Sequence, residues 1–149
     1  MRSYRFVLEW LAFARLVFTN NPIVLVDFDF TLALHRKSGT TSGWDLTSSV
    51  INESVMTDIG PKKFYLFTAR GYASYFAVSD WLRRYGINTK GMVFVGSTLG
   101  KIRTVKRLLR FSSKRVIWYD DLTDVNFDLT VAKNYTMNIE SENLEFNKV

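Results

Sequence analysis

The sequence predicts an α/β fold of three layers, in which a parallel β-sheet is covered by helices on both faces. Segments typical of strands alternate along the chain with segments of helical periodicity, the pattern of a parallel sheet with right-handed crossovers. The first strand, residues 23–26, is a continuous apolar run, as expected for a strand buried on both faces. Acidic residues follow two of the predicted strands, at the sheet edge where ligands bind in such folds. The 149 residues suffice for a single domain.

The first predicted helix covers about residues 4–18. Residues 6–18 are apolar enough to suggest a membrane segment or a secretory signal, but Glu9 and Arg15 interrupt them. A membrane span needs about 20 mainly apolar residues. Four apolar side chains recur at helical spacing: Phe6, Trp10, Phe13 and Val17. We therefore predict an amphipathic helix that packs on the sheet through this face and does not span a membrane; contact with a membrane surface is the less favoured alternative.

The remaining elements alternate along the chain after Pro22, which separates them from the first helix. They are strand one at 23–26, a loop at 31–43, a helix at 46–59, strand two at 63–67, a helix at 72–85, strand three at 92–95, a basic helix at 101–111, strand four at 115–119, a helix at 124–132 and strand five at 135–139. Gly60, Pro61 and Gly86 mark helix ends. The polar residues 140–149 are expected to fray.

Composition restricts the class of protein further. The chain has no cysteine, which excludes disulfides and thiolate metal sites and agrees with a reducing compartment. We therefore predict a cytoplasmic location. The formal net charge of +6 favours an anionic partner.

Four groups of polar residues carry the chemistry that the sequence suggests. They are the DxDxT group Asp27, Asp29 and Thr31, then Thr68 after strand two, Lys101 at the basic helix, and Asp120 with Asp121 after strand four. In this order they resemble the four signature motifs of the haloacid dehalogenase (HAD) superfamily of phosphatases. One acidic pair at a strand end would be weak evidence, whereas four groups in order over nearly the whole chain are much more specific.

The resemblance implies a role for each catalytic residue. Asp27 would attack phosphorus and form an aspartyl phosphate. Asp29 would protonate the leaving oxygen and then take a proton from the attacking water. Thr68 would hold the phosphoryl oxygens, and Lys101 would neutralise their charge.

The resemblance also implies Mg²⁺ and a Rossmann-like sheet with the strand order 5-4-1-2-3. Asp27, Asp120 and Asp121 would surround the metal with Asp29, which would bind it through its backbone carbonyl. In that order strands one and four are neighbours where the winding reverses, so acids distant in sequence converge.

Other roles remain open for several of these residues. The acids after strand one could cap local N–H groups, and Thr68 could be a turn or cap residue. Arg103 and Lys106 compete with Lys101, which is preferred because it lies 19 residues before Asp120. Asp124 could cap a helix as well as support the metal.

The substrate is inferred from the spacing of the motifs and from a closer resemblance. The intervals 31–61 and 68–101 are too short to hold the cap domain that many HAD enzymes carry, so we predict an open site without a cap. The DFDFTLA segment, GWDL at 43–46, and Arg70 two residues after Thr68 resemble the phosphatase domain of polynucleotide kinase-phosphatases, which removes terminal 3′ phosphates. The position most often occupied by Gly in the superfamily is Phe30 here.

The predicted substrate is accordingly a nucleic-acid end or a nucleotide. The predicted substrate-binding residues are Thr31, Arg70, Arg36 and Lys37. Seven cations crowd the basic helix and its exit, and either contact nucleic-acid phosphates or form a solvated face: Lys101, Arg103, Lys106, Arg107, Arg110, Lys114 and Arg115. A nucleotidase or small phosphometabolite phosphatase is the alternative enzyme, and a noncatalytic nucleic-acid-binding protein of the same fold is the alternative from another class. His35, the only histidine, is assigned no role.

Overall fold

A computed structural model describes residues 2–35, 46–122 and 141–149 of the chain. The helices are α1 (Arg2–Val17), α2 (Glu53–Ile59), α3 (Tyr75–Arg84) and α4 (Thr98–Phe111). The strands are β1 (Ile23–Val26), β2 (Ala33–Leu34), β3 (Val50–Ile51), β4 (Tyr65–Thr68), β5 (Gly91–Phe94), β6 (Val116–Asp120) and β7 (Leu144–Lys148). Strands one to four of the sequence analysis correspond to β1, β4, β5 and β6, each with ends within two residues of the prediction.

Within the described ranges, five strands form a parallel sheet in the order β7-β6-β1-β4-β5. The central strand is β1, in which Leu25 lies opposite Trp118 of β6 and Tyr65 of β4. The chain winds from β1 through β4 to β5 and then returns to the other side of β1. The winding therefore reverses between β1 and β6, which is where parallel sheets usually form their ligand sites.

Side chains alternate between the two faces of β1 and build two cores. Val24 and Val26 belong to one core with the apolar side chains of α2 and α3. Ile23 and Leu25 belong to the other with those of α1 and α4. Because both faces are covered, β1 is buried along its whole length, as its continuous apolar sequence predicts.

The N-terminal helix is confirmed, but its predicted buried face is wrong in part. Phe6 and Trp10 are 55% and 42% exposed, and the buried apolar side chains are instead Leu8, Ala12 and Leu16. Two apolar stripes lie side by side on this helix, and periodicity alone does not select between them. Contact with α4, in addition to the sheet, sets the rotation of α1. Of the described helices, α1 included, none has the length and apolar character needed to cross a membrane.

The helix predicted at 46–59 is shorter in the structure. It begins at Glu53, because the Asn52 Oδ1 caps it by accepting a hydrogen bond from the Val55 N–H at 3.4 Å. Before it, β3 pairs with β2 in an antiparallel hairpin, with Ala33 opposite Ile51. This hairpin is important below because it lies beside the acids that follow β1.

The fifth strand of the sheet is not the predicted one. The helix predicted at 124–132 and the strand predicted at 135–139 lie outside the described residues. The sheet edge is formed by β7, in the segment that was expected to fray, so the observed strand order differs from the prediction in its fifth member. Leu144 and Phe146 alternate with polar residues and pack on the core, and Arg115 binds Glu145 at 2.7 Å. Such alternation suits an edge strand with one covered face.

Candidate active site

Two acids from distant parts of the chain meet at the carboxyl edge of the sheet. Asp27 follows β1 directly, and Asp120 is the last residue of the neighbouring strand β6. The Asp27 N–H donates to the Tyr119 carbonyl at 2.9 Å, which fixes the two strand ends together. Both carboxylates are buried. The convergence follows from parallel neighbouring strands, whose carboxyl ends lie at one edge.

Lys101 lies between these two acids, in the first turn of α4. Its Nζ is 3.0 Å from Asp27 Oδ1 and 2.7 Å from Asp120 Oδ2. A Cβ at Gly100 would come within 2.7 Å of a methyl group of Val95, so glycine allows the close approach that brings Lys101 into the site. The competing candidate Arg103 instead pairs with Glu9, at 3.5 Å.

Asp27, Asp120 and Asp121 form a compact acidic cluster, each offering a carboxylate oxygen within 4.8 Å of the others. Burial and the nearby Asp120 raise the pKa of Asp27 to about 7, although Lys101 acts in the opposite direction. Burial and Asp27 likewise raise the pKa of Asp121 to about 7. Burial also raises the pKa of Asp120, against the effect of Lys101. Their mutual repulsion and desolvation disfavour three ionised carboxylates beside one lysine.

This acidic cluster fits a divalent cation. Its donors are hard carboxylate oxygens, which Mg²⁺ prefers. A cation there would relieve the repulsion that raises the pKa of Asp27 and Asp121. The Asp29 carboxylate is not part of this cluster among the described residues, and the predicted metal contact of its backbone carbonyl stays a prediction.

Asp29 lies in a different environment, although it is only two residues from Asp27. Arg70 binds it through two hydrogen bonds, from Nε to Oδ2 at 2.8 Å and from Nη2 to Oδ1 at 2.7 Å. The His35 Nε2 lies 2.7 Å from Oδ1. Burial by itself would raise the pKa of Asp29, but the hydrogen bonds of Arg70 and His35 outweigh it and lower that pKa to about 2. Asp29 is therefore an ionised hydrogen-bond acceptor at neutral pH.

The turn that carries Asp29 contains an unusual backbone conformation. Phe30 has a φ of 60°, the left-handed region that favours glycine, and its N–H donates to the Ala33 carbonyl at 2.8 Å. Its ring is 45% exposed and meets the His35 ring edge to face, with centroids 4.9 Å apart. Phe30, which stands where the resemblance would lead us to expect Gly, thus lies at a strained position beside Asp29.

Two residues predicted to contact the substrate, Thr31 and Thr68, form hydrogen bonds to other residues of the site. The Thr31 hydroxyl donates to Asp27 Oδ2 at 3.1 Å, and both side chains are buried. The Thr68 hydroxyl accepts from the Arg70 N–H at 3.1 Å, which is the turn role considered as its alternative. That bond does not use the Thr68 hydroxyl proton. Contact of either threonine with a phosphoryl group stays a prediction.

Of the predicted site residues, the structure brings Asp27, Asp120, Asp121 and Lys101 into one group and Asp29 with Arg70 into a second. Arg36 and Lys37 lie outside the described residues, as do Asp124 and the first three residues of the GWDL segment.

Sequence reasoning missed two side chains that hold the acids, and a third that contacts one of these two. The Trp118 Nε1–H donates to Asp120 Oδ2 at 3.1 Å. Strand alternation could have indicated this contact, since residues two apart in a strand share a face. His35 binds Asp29, and its Nδ1 lies 2.6 Å from the Ser49 Oγ. No short-range signal indicates that pair, because the β2–β3 hairpin brings the two together.

The basic helix uses many of its cations inside the fold. Arg107 pairs with Glu9 at 3.3 Å and lies over the Trp10 ring. Lys114 donates to the Val17 carbonyl. These contacts join α4 and its exit to α1, so the cluster of charges in the sequence is in part a structural feature.

The site offers two carboxylates, Asp27 and Asp29, whose surroundings differ. Asp27 contacts a lysine and belongs to a cluster that fits a divalent cation, and a carboxylate nucleophile needs such positive charge beside a phosphate anion. Asp29 is ionised and oriented by two donors, and its lowered pKa makes it a weak base while both donors stay bound. No protein-family model, curated protein or solved structure matches the chain.

Proposed function

We propose that the protein is a Mg²⁺-dependent, HAD-type phosphatase that hydrolyses phosphomonoesters through an aspartyl phosphate on Asp27. The observation that carries this proposal is the contact of Lys101 with Asp27 and Asp120 at the ends of adjacent strands, with Asp121 in the same cluster. A carboxylate attacks a phosphate anion readily only where cations neutralise both partners. This arrangement would provide one fixed cation and a cluster suited to a second.

In the proposed first step, an Asp27 carboxylate oxygen bonds to phosphorus as the bond from phosphorus to the leaving oxygen breaks. Asp29 gives a proton to that oxygen. In the second step a water oxygen attacks the phosphorus of the aspartyl phosphate, Asp29 takes its proton, and the carboxylate of Asp27 leaves. Lys101 stays between Asp27 and Asp120 throughout. A divalent cation held by Asp27, Asp120 and Asp121 would supply positive charge beside the attacking and phosphoryl oxygens.

The second step needs Asp29 ionised, as it is in the state described above, and its basicity toward water would rise once Arg70 turned to the phosphoryl group. To donate a proton in the first step it must first be protonated, which the two hydrogen bonds from Arg70 oppose. An incoming phosphoryl group would compete for the same guanidinium, because Arg binds phosphate in bidentate fashion too. Arg70 would thus combine its observed contact with its predicted role in substrate binding.

The finer proposal is a substrate with a phosphate on a nucleic-acid end or a nucleotide. The net charge of +6 supports an anionic substrate. The ion pairs of Arg103 and Arg107 with Glu9 reduce the part of the basic helix that such a substrate could use. A small phosphometabolite therefore remains the alternative substrate. Noncatalytic nucleic-acid binding is less favoured, since it gives no reason to keep three adjacent acids.

The first experiment measures phosphate release from p-nitrophenyl phosphate with and without Mg²⁺. We expect Mg²⁺-dependent release by the wild type and a loss of at least about a thousandfold in Asp27→Asn, as for removal of a nucleophile. Asp80→Asn is the matched control, because Asp80 lies on the exposed surface of α3, and it should keep full activity. Equal activity in wild type and Asp27→Asn, or none in either, would refute the mechanism.

A second experiment chooses among substrates. A 3′-phosphorylated oligonucleotide, its 5′-phosphorylated counterpart and a panel of mononucleotides are compared by kcat/KM at physiological salt. The proposal expects the 3′-phosphorylated end to be preferred. Preference for mononucleotides would indicate a nucleotidase instead.

A further inference from the structure

His35 is a partly buried residue of the site that the reaction above does not use. Its side chain is 11% exposed, and both ring nitrogens have partners. The Nε2 lies 2.7 Å from Asp29 Oδ1, and the Nδ1 lies 2.6 Å from the Ser49 Oγ. Ser49 is itself buried. The three side chains thus form a continuous chain that ends at Asp29.

The chemistry of Asp29 sets the direction of the hydrogen bond that joins it to His35. An ionised carboxylate only accepts, so the His35 Nε2 must carry the hydrogen that Asp29 receives. In a neutral imidazole the other nitrogen is then an acceptor, which suits donation from the Ser49 hydroxyl. The contact with the Ser49 Oγ therefore fixes the plane of the ring that binds Asp29.

Two elements of the fold hold this chain of side chains. The β2–β3 hairpin pairs Leu34 with Val50, the residues next to His35 and Ser49. The Ser49 carbonyl accepts from the Trp81 Nε1–H at 3.2 Å and from the Tyr85 hydroxyl at 2.9 Å. Ser49 is thereby tied to α3 and its C-terminal end. The position of the imidazole is set by two separate elements and not only by its own loop.

His35 and Arg70 hold the same carboxylate but differ in what else they can do. The Arg70 Nη1 also donates to the Ser74 Oγ at 3.3 Å. The Arg70 guanidinium is the group that a phosphoryl anion would attract. The His35 ring packs beside two aromatic rings, that of Phe30 at 4.9 Å and that of Phe28 at 6.2 Å between centroids. When Arg70 moves to a substrate, His35 can stay on Oδ1 of Asp29.

We propose that His35 is a positioning residue that, oriented by Ser49, holds the Asp29 carboxylate in place for proton transfer to the leaving oxygen. The inference rests on the proposed phosphatase function and adds to it. It makes a specific demand: loss of His35 must impair the reaction only through Asp29. It must therefore affect leaving groups that need a proton more than those that do not.

The experiment compares kcat/KM, which reports the first phosphoryl transfer, for p-nitrophenyl phosphate and for glycerol phosphate. Nitrophenolate leaves without a proton, whereas an alkoxide requires one. We expect His35→Ala to reduce the value for glycerol phosphate about tenfold, typical of loss of a residue that orients a catalytic group, and to change that for p-nitrophenyl phosphate less than about twofold. Ser49→Ala should show the same selectivity with a smaller loss.

Two variants of His35 test the geometry. A Gln amide can reach the place of Nε2, whereas the shorter Asn amide reaches only the place of Nδ1. His35→Gln should therefore retain more activity on glycerol phosphate than His35→Asn. Equal losses in the two would contradict the proposed bond to Asp29.

A double-mutant cycle with Asp29→Asn decides the question. If His35 acts through Asp29, adding His35→Ala to Asp29→Asn costs nothing further, and additive losses would overturn the inference. Equal loss on both substrates, with an unchanged thermal midpoint, would overturn it too. These outcomes leave the phosphatase function intact, since the wild type remains active and Asp27→Asn inactive. An inactive wild type would overturn both proposals.

Discussion

Asp27 and Asp29 are the same residue type, two positions apart, yet their surroundings change their acidity in opposite directions. Burial and Asp120 raise the pKa of Asp27 to about 7. Burial would raise the pKa of Asp29 as well, but Arg70 and His35 lower it to about 2. The Asp27 carboxylate lies in an acidic cluster, whereas the Asp29 carboxylate accepts hydrogen bonds from Arg70 and His35.

The contrast shows how one short turn can supply two different chemical roles. Asp27 shares a lysine with Asp120, so it has fewer positive neighbours than the local negative charge requires. Asp29 is bound by two donor residues, Arg70 and His35. Pairs of acids separated in this way by their environment can act as distinct groups in one reaction. The predictions below change each environment in turn and ask whether the contrast disappears.

The largest expected effect follows from Lys101→Met, which removes the cation between two buried acids. We expect the free energy of unfolding to fall by about 3 kcal/mol at neutral pH, as when one partner of a buried ion pair is lost. The loss should shrink as pH falls toward 4, because Asp27 and Asp120 can then take up protons in the folded protein. Urea unfolding of the apo protein at several pH values measures this.

Lys63→Met is the matched control for Lys101→Met, because Lys63 is exposed. It should change stability by less than about 0.5 kcal/mol. If Lys101→Met were as stable as Lys63→Met at neutral pH, the lysine would not neutralise the acidic cluster as described.

The sequence predicts the Asp27 environment better than the Asp29 environment, for a physical reason. Parallel strands end at one sheet edge, so the strand order implied by the resemblance is enough to expect Asp27 beside Asp120, and the spacing from Asp120 is enough to choose Lys101. The partners of Asp29 depend on a hairpin that brings Ser49 to His35 across 14 residues. Such a contact is encoded in tertiary packing and leaves no local pattern.

The same distinction, between local pattern and tertiary contact, explains which parts of the fold the sequence predicts correctly and which it does not. The continuous apolar run of β1 predicts burial on both faces, because strand period and burial are local properties. The buried side of α1 and the pairing of β7 depend on which neighbour each element contacts. For α1 two apolar stripes compete, and for β7 a polar sequence is compatible with an edge strand as well as with a free terminus.

The next effect in size is stabilisation by Mg²⁺, which should depend on pH. Where folding raises the pKa of an acid, the free energy of unfolding falls as pH rises from the unfolded pKa of 3.8 toward the folded pKa. For Asp27 and Asp121 the folded pKa is about 7. A cation that binds their ionised forms should therefore stabilise more at pH 7.5 than at pH 5.5. At a concentration a hundred times its Kd it would add about 2.7 kcal/mol.

Thermal unfolding with MgCl₂, against KCl of equal ionic strength, measures the effect of Mg²⁺. Asp121→Asn should remove most of the stabilisation, and Asp80→Asn should leave it unchanged. A gain that is equal at both pH values, or that survives in Asp121→Asn, would place the bound ion elsewhere than in the acidic cluster.

The smallest expected effect concerns the donors around Asp29. Arg70→Lys keeps the positive charge but loses the bidentate geometry, so we expect a loss of about 1 kcal/mol in the free energy of unfolding at pH 6. The pKa of Asp29 is lowered, so its contribution is present above its unfolded value of 3.8 and disappears as pH falls toward 2. The difference between variant and wild type should accordingly be constant from pH 6 to about 5 and shrink as pH falls from 4 toward 2.

Arg83→Lys is the matched control for Arg70→Lys, because Arg83 also binds a carboxylate, that of Asp80, at 3.3 Å. That pair is exposed to solvent, with side chains 79% and 67% accessible, and is expected to contribute little. Equal losses in the two variants, or a loss in Arg70→Lys that does not change with pH, would mean that Arg70 does not hold Asp29 in its ionised form. The contrast between the two acids would then rest on His35 alone, and the kinetic cycle at His35 would become the stricter test of the Asp29 environment.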